Sequence, residues 1–134
     1  MHATPDEQSG WRIDQEAFPL QAVDADTGRL LSSYTPERQG TYGLRLSPDG
    51  AYLILDGWER DQRWSDVLFT DSLELVAAVN GWEVQAIQGP DGALTWLGSR
   101  PDAIRTSLAF LDPETFKPRS TWTVNGYPVF LAAP

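Results

Sequence analysis

The four residues Ser47-Pro48-Asp49-Gly50 return as Gly89-Pro90-Asp91-Gly92, a shift of 42 positions. Self-similarity at a fixed spacing constrains a fold more than composition does. Each copy must be one supersecondary unit that buries its apolar face against the next. Each Pro-Asp-Gly follows an alternating segment, Tyr42-Gly43-Leu44-Arg45-Leu46 in the first copy and Trp82-Glu83-Val84-Gln85-Ala86-Ile87 in the second. Each precedes an apolar run, Ala51 to Leu55 and Ala93 to Leu97. Alternation, a turn that presets the backbone, then a second apolar run spells a β-hairpin.

A second hairpin type is interleaved with the first. Its turns are Asp24-Ala25-Asp26-Thr27-Gly28, then Asp71-Ser72-Leu73, then Asp112-Pro113-Glu114-Thr115. Short apolar strands flank each: Leu20 to Val23 and Arg29 to Tyr34, Val67 to Phe69 and Glu74 to Val79, Leu108 to Leu111 and Pro118 to Val124. The middle turn reads as shortened. With the strands of one unit lettered a to d, the chain runs (b)-c-d, a-b-c-d, a-b-c-d, a. The first b is the segment Trp11 to Asp14. Four antiparallel strands per unit of about 40–45 residues is the geometry of a propeller blade. The expected fold is therefore all-β: a β-propeller-like array of four-stranded antiparallel meander blades. About three blades are present, either incomplete or closed by self-assembly. Residues 1–17 form an N-terminal extension with a candidate edge strand. Residues 18–41 form a partial blade, 42–81 and 82–126 are blades, and 127–134 is the first strand of the next, centred on Tyr127 to Ala132.

Leu44-Arg45-Leu46-Ser47-Pro48-Asp49-Gly50-Ala51-Tyr52-Leu53-Ile54-Leu55 resembles the core of YVTN-type bacterial β-propeller repeats. Val23-Asp24-Ala25-Asp26-Thr27-Gly28-Arg29-Leu30-Leu31 resembles the second hairpin of the same repeats. The resemblance spans roughly residues 18–134. It departs from the pattern at Gly89, where the family favours Ser, and at Asp71-Ser72-Leu73. It implies blade architecture and is almost silent on activity. Such repeats often occur in exported bacterial proteins, which implies a periplasmic or extracellular setting.

A propeller closes with about four to eight blades. Three arrangements fit: a piece of a larger propeller completed by further blades of a parent chain, which is the expected one; a homodimer of two copies joined head to tail; or an open twisted array whose edge strands are blunted by charge and proline.

Composition excludes several function classes. The net charge is −9, which leaves little cationic surface for a nucleic-acid backbone or an anionic membrane. There is no cysteine, so disulfides, thiolate catalysis and iron–sulfur ligation are ruled out. The single histidine is His2, which argues against a histidine triad or a multi-histidine metal site. No run of about eighteen apolar residues occurs, so no membrane-spanning helix is expected. No cofactor is expected.

Antiparallel order assigns connections to ends. The a–b and c–d turns share one end, which carries Asp24, Asp26, Asp49, Asp71, Asp91, Asp112 and Glu114. The b–c and d–a loops share the other, where Arg38, Arg60, Arg63, Arg100 and Arg105 mix with Glu37, Glu59, Asp61, Asp66 and Asp102. Loops on a rigid scaffold carry binding residues, and Arg with Trp makes good anchors. The candidate binding set is Trp58, Arg60, Asp61, Arg63, Trp64, Arg100 and Arg105. Trp58 to Trp64 is read as one contact loop, against the plainer view that its rings pack between blades. The other tryptophans read as inter-blade packing rather than as sugar-stacking platforms, with Trp82 aligned to Tyr42 and Tyr127. Asp24-x-Asp26-x-Gly28 fits a turn better than a calcium loop, which needs more ligands and a later Gly. Glu59 and Glu83 are the conceivable carboxylates for glycoside hydrolysis. The expectation is a non-enzymatic binding or scaffolding module that takes a protein or small molecule through the b–c and d–a loops. The alternative is part of a propeller hydrolase or lyase whose site other blades complete.

Overall fold

The computed structural model describes the backbone of His2–Asp6 and Gly10–Asp14, and residues 19–131. The described residues form strands and no helix. In chain order the strands are β1 (His2–Asp6), β2 (Gly10–Asp14), β3 (Leu20–Val23), β4 (Leu30–Tyr34), β5 (Thr41–Leu46), β6 (Tyr52–Glu59), β7 (Gln62–Phe69), β8 (Leu75–Asn80), β9 (Glu83–Gln88), β10 (Leu94–Pro101), β11 (Arg105–Leu111) and β12 (Pro118–Asn125). All pairings are antiparallel. β5-β6-β7-β8 and β9-β10-β11-β12 are consecutive four-stranded meanders, and β1-β2 and β3-β4 are separate pairs. The protein is all-β, and its sheets do not close on one another.

Two expectations at the chain's ends need correction. Trp11 to Asp14 is a strand, within β2, but it pairs with β1 and not with β3. Residues 127–131 are not a strand, and Ala132 and Pro134 lie outside the described residues. An extended segment becomes a strand only by pairing, and no described strand is hydrogen-bonded in a ladder to 127–131. Tyr127, Val129 and Leu131 are accordingly above 80% exposed.

The c–d turns repeat one geometry. Asp24, Phe69 and Asp112 each donate their backbone N–H to a carbonyl five residues on, at Arg29, Glu74 and Lys117. Gly28, Leu73 and Phe116 close the loops by donating back to Asp24, Phe69 and Asp112, and all three have positive φ. The middle turn is therefore not shortened. It begins at Phe69, and Thr70 to Leu73 fill the same span. Its signal was hidden because Phe69 replaces the aspartate that marks the other two. Leu73 and Phe116 hold φ of 59° although neither is glycine. Each is only 4% exposed. Burying such a side chain contributes about 1.5–3 kcal/mol, which exceeds the roughly 1–2 kcal/mol penalty of a left-handed backbone.

The main core lies between the two meanders. Ile54, Val67 and Val79 from the first sheet meet Val84, Trp96, Ala109, Leu111 and Phe116 from the second, with Trp82 between them. Tyr52 and Phe116 both meet the Trp96 ring edge-on, at 5.2 and 4.9 Å between centroids. The alternation of β6 and β7 sends neighbouring polar residues to opposite faces. Asp56 lies opposite Ser65, whose hydroxyl donates to it at 2.8 Å. Asp56 also accepts from Arg45, which reaches on to the Val84 carbonyl of the second sheet. Asp66 faces the other way. It accepts from the Tyr34 hydroxyl at 2.6 Å and from Arg38. Each face of the first meander thus carries one buried carboxylate paired with an arginine.

Candidate functional site

The β6–β7 connection is shorter than a contact loop. Arg60 and Asp61 both have positive φ, 50° and 64°, and form a two-residue hairpin turn between Glu59 and Gln62. This turn type matches the twist of paired strands. Trp58 and Trp64 therefore lie in strands, on opposite sides of the turn. Gly57 is paired directly with Trp64. The Trp64 ring is 2% exposed, and its indole N–H donates to the Gln39 carbonyl at 2.8 Å. Trp64 is a core residue. Trp58 is 45% exposed and is stacked by Arg63, whose guanidinium carbon is 4.9 Å from the ring centroid.

This end of the sheets carries an open groove of about 510 Å³. Trp58, Asp61, Gln62 and Arg63 come from the first hairpin, Gly81 from the β8–β9 connection, and Arg100, Pro101, Asp102 and Ser107 from the second sheet. Four of the candidate residues thus gather in one place: Trp58, Asp61, Arg63 and Arg100. Arg60 lies in a neighbouring hollow of about 250 Å³ with Arg38, Glu59 and Asn80. The Trp64 ring lines that hollow too. Arg105, exposed at the start of β11, lines neither. Asp66, expected among the loops, is instead buried in β7.

The arginines of this end are not equivalent. Arg38 stacks on Trp64 and is consumed by Asp66, Asn80 and the Val79 carbonyl. Arg63 is shared between Glu83, at 3.5 Å, and the Tyr42 hydroxyl. Arg100 lies over Trp82 at 4.1 Å and donates from Nε to the Gly81 carbonyl at 2.7 Å. Gly81 has φ of +83°, and a Cβ there would come within 3.2 Å of the Arg100 guanidinium. Glycine thus serves both the turn and the room for that group. Sequence reasoning missed Gly81 and Gln62 as groove residues. Gly81 could have been suspected as the glycine opening strand a.

Burial, then the negative charge of Glu83, raises the Tyr42 phenol above its ordinary value. Glu59 accepts from the Gln39 N–H at 2.6 Å, and Glu83 faces Arg63. The Asp24 Oδ1 accepts from the N–H groups of Asp26 and Thr27, the hydrogen bonding of a hairpin turn. Among the described residues no group of three or more His, Asp or Glu side chains is arranged to hold a metal ion. Among the described residues no helix is long and apolar enough to cross a membrane.

Trp82, Trp96 and Trp64 are buried, whereas Trp58 and Trp122 are partly open. The Trp11 side chain lies outside the described residues. The expected likeness of Trp82 to Tyr42 and Tyr127 does not extend to packing, because Trp82 is enclosed between two sheets while the two tyrosines are exposed.

The fold and groove define a class: an all-β protein of successive antiparallel meanders with a mixed-charge groove at one end. No protein-family model, curated protein or solved structure matches the chain.

Proposed function

We propose that the chain is a non-enzymatic binding or scaffolding module of a β-propeller protein, working through the end that holds the b–c and d–a connections. The observation that carries this reading is the groove itself. Three connections from two sheets bring Trp58, Arg63 and Arg100 together beside Gln62 and Ser107. A partly exposed aromatic ring with convergent polar groups on a rigid scaffold is what a recognition site needs.

Propeller architecture is supported by two complete meanders packed face to face, preceded by a β3–β4 pair with the same c–d turn. Further blades, from a longer chain or a second copy, would cover Tyr42, Leu44 and Leu46 at one side and Tyr127, Val129 and Leu131 at the other. All six are exposed. Glu59 and Glu83 are each held by a protein partner, which favours binding over carboxylate hydrolysis.

The test is an NMR screen with a library of N-acetyl dipeptides. Ligands should shift the Trp58 indole N–H and lose affinity in Trp58→Ala. Ligands that instead map to Tyr127–Leu131 and ignore Trp58→Ala would remove the basis for the reading.

A further inference from the structure

Resting on that groove as the contact site, we infer that it is a carboxylate receptor in which Arg100 takes the carboxylate and Trp58 the apolar group beside it. Its chemical class of ligand is the free C-terminus of a peptide ending in an apolar or aromatic residue.

The inference starts from what holds Arg100. Its flat face is fixed on Trp82, a ring that is 8% exposed and so does not move freely. Its Nε is fixed on the Gly81 carbonyl. These two contacts set the guanidinium plane and leave both Nη groups without a hydrogen-bond partner among the described residues. The other arginines near this end that stack on a ring are already neutralised: Arg38 by Asp66 and Arg63 by Glu83. Arg100 has no carboxylate within ion-pair distance among the described residues. A guanidinium fork held in place binds a carboxylate with two parallel hydrogen bonds and little loss of side-chain freedom.

The surroundings select among anions. Asp61 and Asp102 line the same groove, and the chain carries a net charge of −9. A doubly charged phosphate meets more repulsion there than a singly charged carboxylate. Trp58 offers flat apolar area in the same groove, so the preferred carboxylate carries an apolar neighbour. Gln62 and Ser107 supply hydrogen-bonding groups for a peptide backbone.

The experiment uses the whole chain and two probes, Ac-Ala-Ala-Phe with a free carboxylate and the same tripeptide as its C-terminal amide. Binding is followed by the indole N–H signals of Trp58 and Trp82. The acid should bind saturably, and the amide at least tenfold more weakly. Arg100→Gln should lower affinity for the acid at least tenfold, to the level of the amide, while circular dichroism shows the chain still folded, with Tm lowered only by the loss of the Trp82 and Gly81 contacts. Arg100→Lys should recover only part of it, since it keeps the charge and loses the fork. Equal affinity for acid and amide, with Trp58→Ala weakening both, overturns the carboxylate inference and leaves the groove reading standing. Acid binding that ignores both Trp58→Ala and Arg100→Gln overturns the groove reading as well. Tighter binding of inorganic phosphate than of the acid, or no binding of either peptide at millimolar concentration, also overturns the inference.

Discussion

Trp64 lies against Gly57, its directly paired neighbour on β6, so closely that a Cβ at position 57 would fall 2.0 Å from the ring. The ring has nowhere to go. Its indole N–H is bonded to Gln39, and Arg38 lies 4.7 Å over its centroid. Gly57→Ala should therefore destabilise the protein by about 3 kcal/mol or more, the upper range for overpacking. Chemical denaturation measures the loss, and Trp fluorescence reports the displaced ring.

The two tryptophans flanking the β6–β7 turn should separate stability from recognition. Trp64→Ala should cost about 3–5 kcal/mol, as for other large buried rings. Trp58→Ala should cost about 1 kcal/mol or less, because the ring is 45% exposed and loses mainly its contact with Arg63. Paired urea titrations decide this. Equal losses would mean that Trp58 is also part of the core.

Asp56 fastens the first meander to the second through Arg45 and Ser65. Asp56→Ala strands the Arg45 charge, and the expected loss is about 3 kcal/mol. Asp56→Asn keeps an acceptor for the Ser65 hydroxyl and should lose less. Thermal unfolding of the two variants orders them, and near-ultraviolet circular dichroism reports whether the aromatic packing of the whole chain is kept.

Leu73 should reverse the usual order of small residues. At a buried strand position Gly is worse than Ala by about 0.5–1 kcal/mol. At φ of 59° the backbone favours Gly. Leu73→Ala and Leu73→Gly both lose the buried side chain, but Leu73→Gly should be the more stable of the two. Urea midpoints for the pair decide it.

The turn aspartates should set part of the acid response. The backbone N–H groups of Asp26 and Thr27 hold the Asp24 carboxyl below its ordinary value of 3.8. The Ser47 hydroxyl, then the Ala51 N–H, does so for Asp49, and the N–H groups of Glu114 and Thr115 do so for Asp112. A carboxyl with a lowered folded-state pKa contributes stability above its unfolded value. That contribution is lost as pH falls below 3.8 and through the lowered value. Replacing all three with Asn removes the titration, so it should flatten this acid limb by lowering neutral-pH stability, with variant and parent converging in strong acid. An unaltered slope below pH 4 would count against it.

The sequence by itself determined the order of strands β3 to β12, the Pro-Asp-Gly hairpins at Ser47–Gly50 and Gly89–Gly92, and the end of the sheets at which the arginines gather. These are local: turn residues set backbone angles within a few positions, and period-two alternation marks the face each strand buries. Only the tertiary structure decided that Trp64 is core and Trp58 is open, although they are only six positions apart. The sides they take depend on a two-residue turn at Arg60 and Asp61 whose positive φ no glycine announces, and on Gly57 lying opposite one ring. The tertiary structure likewise decided which arginine has charge to spare. Arg38, Arg63 and Arg100 look alike in sequence, but their partners Asp66, Glu83 and the Gly81 carbonyl are separated from them by 19 to 28 positions. Packing the sheets neutralises the first two and leaves Arg100 oriented, with no carboxylate in ion-pair distance among the described residues.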